Sequence, residues 1–156
     1  MSFTTAYLTP RQLSIWGLRR QGHTQAAIGR KLGVQRQSIN EALATIDAKL
    51  QQALTEAAQT NKLEIYRIDT VHGILEAYSH AYHVPVIVSF TKQNGMQVWY
   101  LYEGKCMSCP QVETCRNMLK TEAKERGINL TNNDIQLTPT ALGRKIFNAL
   151  TTRSVE

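Results

Sequence analysis

Cys106, Cys109 and Cys115 stand together in CMSCPQVETC, a C-x2-C-x5-C spacing that holds all three cysteines of the chain. Thiols two residues apart can grip one metal centre from a tight turn, and the third returns from the start of a following helix. Pro110 stiffens the loop and has no backbone N–H to compete. Lys105, Arg116 and Lys120 lie close in sequence, and cationic neighbours lower thiol pKa values and offset thiolate charge. An odd, clustered set of cysteines argues against a secreted disulfide framework and for metal binding in a reducing compartment. Structural zinc wants four protein ligands. Iron–sulfur clusters use cysteine thiolates, and one with an open or non-cysteine position suits three. An iron–sulfur cluster is therefore expected, with zinc as the alternative. His72, Glu76, His80 and His83 either supply a fourth ligand or are solvated surface side chains.

The second chemistry is that of phosphates and base edges. From Thr24 to Ile39 the chain reads TQAAIGRKLGVQRQSI, a short helix turning sharply into another. Gly29 lets the second helix cross closely, Gly33 supplies the turn, and Val34 plugs the apolar angle. Upstream, LTPRQ is a helix start, with Thr9 as N-cap, Pro10 at the first helical position and Gln12 closing a capping box. This is the pattern of a helix-turn-helix, whose second helix ordinarily enters the DNA major groove. Residues 1–40 contain no Asp or Glu but hold Arg11, Arg19, Arg20, Arg30, Lys31 and Arg36. Segments 1–61, 62–102 and 103–156 carry +4, 0 and +2. The excess thus sits on the unit that would neutralise phosphates.

These residues need positioning elements. The periodicity predicts helices over Thr9–Gln21 and Gln25–Leu32, and a long third helix from Gln35. In the third, Ile39, Leu43, Ile46, Leu50, Leu54 and Ala57 form one stripe. Leu50–Ala57 outruns a helix-turn-helix core, so a second subunit or the rest of the chain must cover it; the two-fold symmetry of DNA half-sites favours a homodimer. Beyond Thr60–Lys62, Leu63–Ile68 reads as a strand. Val71, Ile74, Leu75, Tyr78 and Tyr82 read as an amphipathic helix, and VPVIVSF at 84–90 as a buried strand, together suggesting a crossover onto a parallel sheet. Asn94-Gly95 predicts a two-residue hairpin pairing Phe90 with Trp99. Helices over Val112–Arg126 and from Thr138-Pro139 complete the chain. The expected fold class is α+β: a helix-turn-helix domain over 1–60 and a small mixed α/β, metal-binding domain over 61–156.

The segment Leu8–Leu54 resembles the helix-turn-helix of sigma-factor region 4 and LuxR-type regulators, and LTPRQ with TQAAIGRKLGVQRQSI looks most like archaeal Tfx-type DNA-binding proteins. The resemblance implies that Gln35, Arg36, Gln37 and Asn40 face base edges, with Ser38, Arg30 and Lys31 on phosphates. Gln37 and Asn40 suit adenine and Arg36 suits guanine. The cysteine spacing is similar to that of FNR-type oxygen-sensing regulators, which bind a 4Fe–4S cluster.

The expected function is a sequence-specific regulator of transcription that binds double-stranded DNA and carries a three-cysteine metal centre. An enzyme or an adaptor that merely docks through its helices is the competing class. No P-loop or G-x-S-x-G motif is present, and the tyrosines at 66, 78, 82, 100 and 102 are read as core rather than as a ligand pocket. No apolar run approaches the ~20 residues of a membrane span, and MSFTTAYLTPRQ lacks a signal-peptide shape, so a cytoplasmic location is expected.

Overall fold

The computed structural model describes residues 7–104 and 106–151. The first helix, α1 (Pro10–Arg20), begins as its capping residues dictate: the Gln12 N–H donates to the Thr9 hydroxyl at 3.2 Å, and the Thr9 N–H donates to the Gln12 side chain at 3.0 Å. Two otherwise orphaned N–H groups are thereby satisfied. The Thr24 hydroxyl accepts from the Ala27 N–H to start α2 (Gln25–Leu32), which Gly33 ends at φ +70°. After Gly33, Val34 and Gln35, α3 (Arg36–Thr60) runs for 25 residues, burying Ile39, Leu43, Ile46, Leu50, Leu54 and Ala58 along one side.

Four strands follow: β1 (Glu64–Asp69), β2 (Ile74–Ser79), β3 (Val84–Thr91) and β4 (Gly95–Tyr100). They form one antiparallel sheet in sequence order. A single 3₁₀ turn at Cys106–Ser108 leads to α4 (Val112–Glu125), and a second at Asp134–Gln136 leads to α5 (Pro139–Thr151). The molecule is mixed α+β with three layers. One sheet face, with Leu75, Ala77, Val86 and Val88, packs on Leu54 and Ala58 of α3, while Phe90 joins Leu13, Ile15 and Trp16 of α1. The other face, with Ile74 and Ile87, packs on Leu119 and Ala123 of α4 and Leu142, Ile146, Phe147 and Leu150 of α5.

Three expectations are overturned here. Val71–Tyr82 is no helix but two turns flanking β2. Its apolar residues mimic helical spacing because β2 is a central strand with Ile74 buried on one face and Leu75 and Ala77 on the other, so the alternation that marks a strand is blurred. Gly73, at φ +68°, is where the chain reverses: a Cβ there would lie 2.9 Å from the Phe90 carbonyl oxygen and from the Trp16 ring. The sheet therefore has no parallel crossover; each strand returns beside the last. The hairpin register also differs, with Phe90 opposite Met96, Val88 opposite Val98 and Ile87 opposite Trp99. Lys92, Gln93 and Asn94 form a three-residue loop closed by Gly95 at φ +69°, the hairpin that ends in a left-handed residue. An odd shift exchanges the faces, putting Trp99 on the α5 side against Phe147.

The Leu50–Ala58 stretch of α3 finds its partner in the chain's own sheet. The uncovered stripe that favoured a homodimer is therefore covered within one chain.

Candidate nucleic-acid interface and thiol cluster

The turn between α2 and α3 is held by close backbone contact. The Val34 N–H donates to the Gly29 carbonyl at 2.9 Å, and a Cβ on Gly29 would come within 2.8 Å of the Val34 carbonyl oxygen. Any side chain at position 29 would wedge the two helices apart. Ile39 is fully buried and roots the first turn of α3 in the core, whereas Gln35, Arg36, Gln37, Ser38 and Asn40 are exposed, as are Arg30 and Lys31 on α2. Gln25 donates to Asn40 at 3.1 Å, and Gln37 to Glu41 at 3.4 Å. The first turn of α3 carries no acidic residue, so the positive end of its dipole stays open to anions.

The basic residues of this segment divide into two groups. Arg11, Arg30, Lys31 and Arg36 are exposed. Arg19 makes a two-pronged ion pair with Asp47 at 2.7 and 3.0 Å, and Arg20 is buried against Glu125 at 3.2 Å. Those two ion pairs brace α1 against α3 and α4, so part of the charge excess is structural. Burial alone would raise the Asp47 pKa, but the hydrogen bonds from Arg19 and Thr70 hold it below the ordinary carboxylate value.

The cysteines lie where the 3₁₀ turn enters α4. The Cys109 N–H donates to the Cys106 carbonyl at 3.1 Å, the Gln111 N–H points at the Cys109 sulfur at 3.4 Å, and the Cys106 sulfur lies 3.8 Å from the Thr140 hydroxyl. The Cys115 thiol is pushed up by burial and by the neighbouring Cys109 and Cys106, the reverse of the expected cationic lowering. Arg116 explains part of this, because it is engaged by Glu113, the Leu137 and Gln136 carbonyls and the Met107 sulfur. Lys105 lies outside the described residues. Among the described residues, no group of three or more His, Cys, Asp or Glu is placed to hold a metal ion.

The histidines weighed as a fourth ligand have other occupations. His72 Nδ1 is 2.7 Å from Asp69 and His80 Nε2 is 2.5 Å from Glu64. Glu76 pairs with Arg67 at 2.5 Å, and His83 adopts φ +56° in the β2–β3 turn. Of the tyrosines read as core, Tyr100 packs partly buried against the cluster under α3, whereas Tyr66, Tyr82 and Tyr102 are largely exposed, with Tyr66 stacked on Tyr78 and Tyr82 edge-on to Tyr100.

Sequence reasoning missed a buried polar network under the sheet. The Ser89 hydroxyl donates to Glu122 at 2.8 Å and accepts from the Trp99 indole at 3.0 Å. Arg126, one helical turn on, donates to Glu122 at 3.1 Å and to the Phe90 and His72 carbonyls. The i, i+4 spacing of Glu122 and Arg126 was the one local signal available. No described helix is long and apolar enough to cross a membrane. No protein-family model, curated protein or solved structure matches the chain.

Proposed function

We propose that the chain is a sequence-specific transcription regulator, a binding protein rather than an enzyme, that reads double-stranded DNA with a helix-turn-helix formed by α2 and α3. The supporting observation is the exposed start of α3, with Gln35, Arg36, Gln37, Ser38 and Asn40 on the surface and Arg30 and Lys31 beside them on α2. Arg36 reads guanine and Gln37 and Asn40 read adenine in the major groove; Ser38, Arg30 and Lys31 hold phosphates. Once bound, Asn40 exchanges its partner Gln25 for a base edge.

The test is selection from a random duplex library, followed by titration of the selected site at several salt concentrations. Arg36→Ala weakens binding by about 1–3 kcal/mol and relaxes preference at one position. Lys31→Ala weakens all sequences alike and makes the salt slope shallower by about one unit. Affinity indifferent to both salt and Arg36 removes the reading.

The thiols are the proposed sensing element of the same protein, with Cys106, Cys109 and Cys115 as ligands. Three protein thiols suit a 4Fe–4S cluster with an open position better than four-coordinate zinc. Such a cluster would supply reversible redox chemistry. Iron, sulfide and a visible absorption band in anaerobically purified protein are the expected result; a colourless protein with stoichiometric zinc makes the site a staple instead.

A further inference from the structure

The C-terminal end of α2, one side of α1, the β3–β4 loop and the last turns of α4 enclose a cleft of about 720 Å³. Leu13, Trp16, Leu18 and Leu32 give it an apolar floor, and Arg20, Lys31, Lys92 and Lys124 line it against one carboxylate among the described residues, Glu125. That carboxylate is already engaged, accepting from Arg20 Nη2 at 3.2 Å and from the backbone N–H groups of Lys92 and Gln93 at 2.6 and 3.3 Å. Arg20 is the decisive residue. Its side chain is only 8% exposed and its guanidinium sits 4.5 Å from the Trp16 ring centroid, yet Nε and Nη1 have no hydrogen-bond partner among the described residues. Buried donors are ordinarily paired, so these N–H groups mark a place for an acceptor.

A second observation points to the same space. Gly17 stands in the middle of α1 and lines the cleft, and a Cβ added there would meet nothing within 4 Å among the described residues. Helix interiors disfavour glycine, and neither crowding nor a positive φ demands one here. Its effect is to keep the wall of the cleft open.

We propose that this cleft binds a small organic anion, with an apolar body lying over Gly17 against Leu13 and Trp16 and an acidic group accepting from Arg20, surrounded by Lys31, Lys92 and Lys124. Because α1 and α2 both wall it, occupancy ties the helical layer to α4. The consequence for DNA affinity rests on the reading above; anion binding itself does not.

The test is calorimetric titration of the full chain with phenyl phosphate, benzoate and inorganic phosphate. One saturable site for an aromatic anion is expected on the wild type, with inorganic phosphate binding much more weakly. Preference for phenyl phosphate assigns a phosphate ester, and preference for benzoate a carboxylate. Gly17→Leu, which adds helix propensity at an open position, fills the space and weakens binding by at least about tenfold. Lys124→Gln, an exposed change, weakens it several-fold. The proposal is overturned if neither aromatic anion saturates, if Gly17→Leu binds like the wild type, or if inorganic phosphate binds as tightly as phenyl phosphate.

Discussion

Under α3, the sheet presents Leu75, Val86 and Val88 to Leu54 and Ala58. Under α4 and α5 the opposite face also buries aliphatic and aromatic side chains, but it encloses Ser89, Glu122 and Arg126 with them. Both side chains of the Glu122–Arg126 pair are 0% exposed. A dry face loses stability in proportion to the volume removed. A buried ionic network fails abruptly, because deleting one member strands the charge of the other. The first kind of face tolerates drift in sequence; the second fixes which strand residues and which helix turn must meet.

The sharpest way to break this contrast is Arg126→Leu, which leaves Glu122 buried without its cation and costs about 3–5 kcal/mol in urea unfolding. Adding Glu122→Leu to it recovers most of the loss; a double variant as unstable as the single would mean that the network's packing, not its charge, matters. Leu54→Ala probes the dry face and costs about 2–4 kcal/mol, with no second change that restores it except refilling the volume. Ser89→Ala removes one hydroxyl from between Glu122 and Trp99 and costs about 1–2 kcal/mol, with a change in Trp99 fluorescence as its signature.

The smallest effect is in pH dependence. Burial would raise Asp69, but the His72 side chain and backbone N–H hold it low, and Asp47 is held low by Arg19 and Thr70. A carboxylate with a depressed folded pKa contributes stability that is complete above its unfolded value of about 4 and is lost as pH falls through the lower folded value. Stability should therefore fall below about pH 4. Asp69→Asn should flatten that fall without altering the response to Arg126→Leu, and an unchanged acid limb would assign the loss to other carboxylates.

Much of the helical layer was legible because its signals are local. Thr9 and Gln12, Thr24, and Gly33 act within a few residues of themselves, and the Ile39–Leu54 stripe repeats at the helical period over many turns. The β2 strand was illegible for the opposite reason: both of its faces are covered, and only the covering helices reveal that Ile74 and Leu75 point opposite ways. The Asn94-Gly95 pair named a hairpin but not its register. Asn94 donates its side-chain amide to the Met118 carbonyl of α4, a contact no local rule contains. At the candidate interface, the sequence could count arginines but not tell exposed Arg36 from Arg19 and Arg20, whose partners lie 28 and 105 residues away.

By itself, then, the chain determined where helices α1 to α3 start and stop, that Gly33 turns α2 into α3, and that three thiols share one short segment. Capping bonds and helical periodicity act over a handful of residues, so they can be read without the fold. Only the tertiary structure decided which face of each strand is covered, that α3 is completed by its own sheet, and which cations remain free for a ligand. Those outcomes depend on side chains brought together across long stretches of chain, where burial and pairing, not spacing, set the energy.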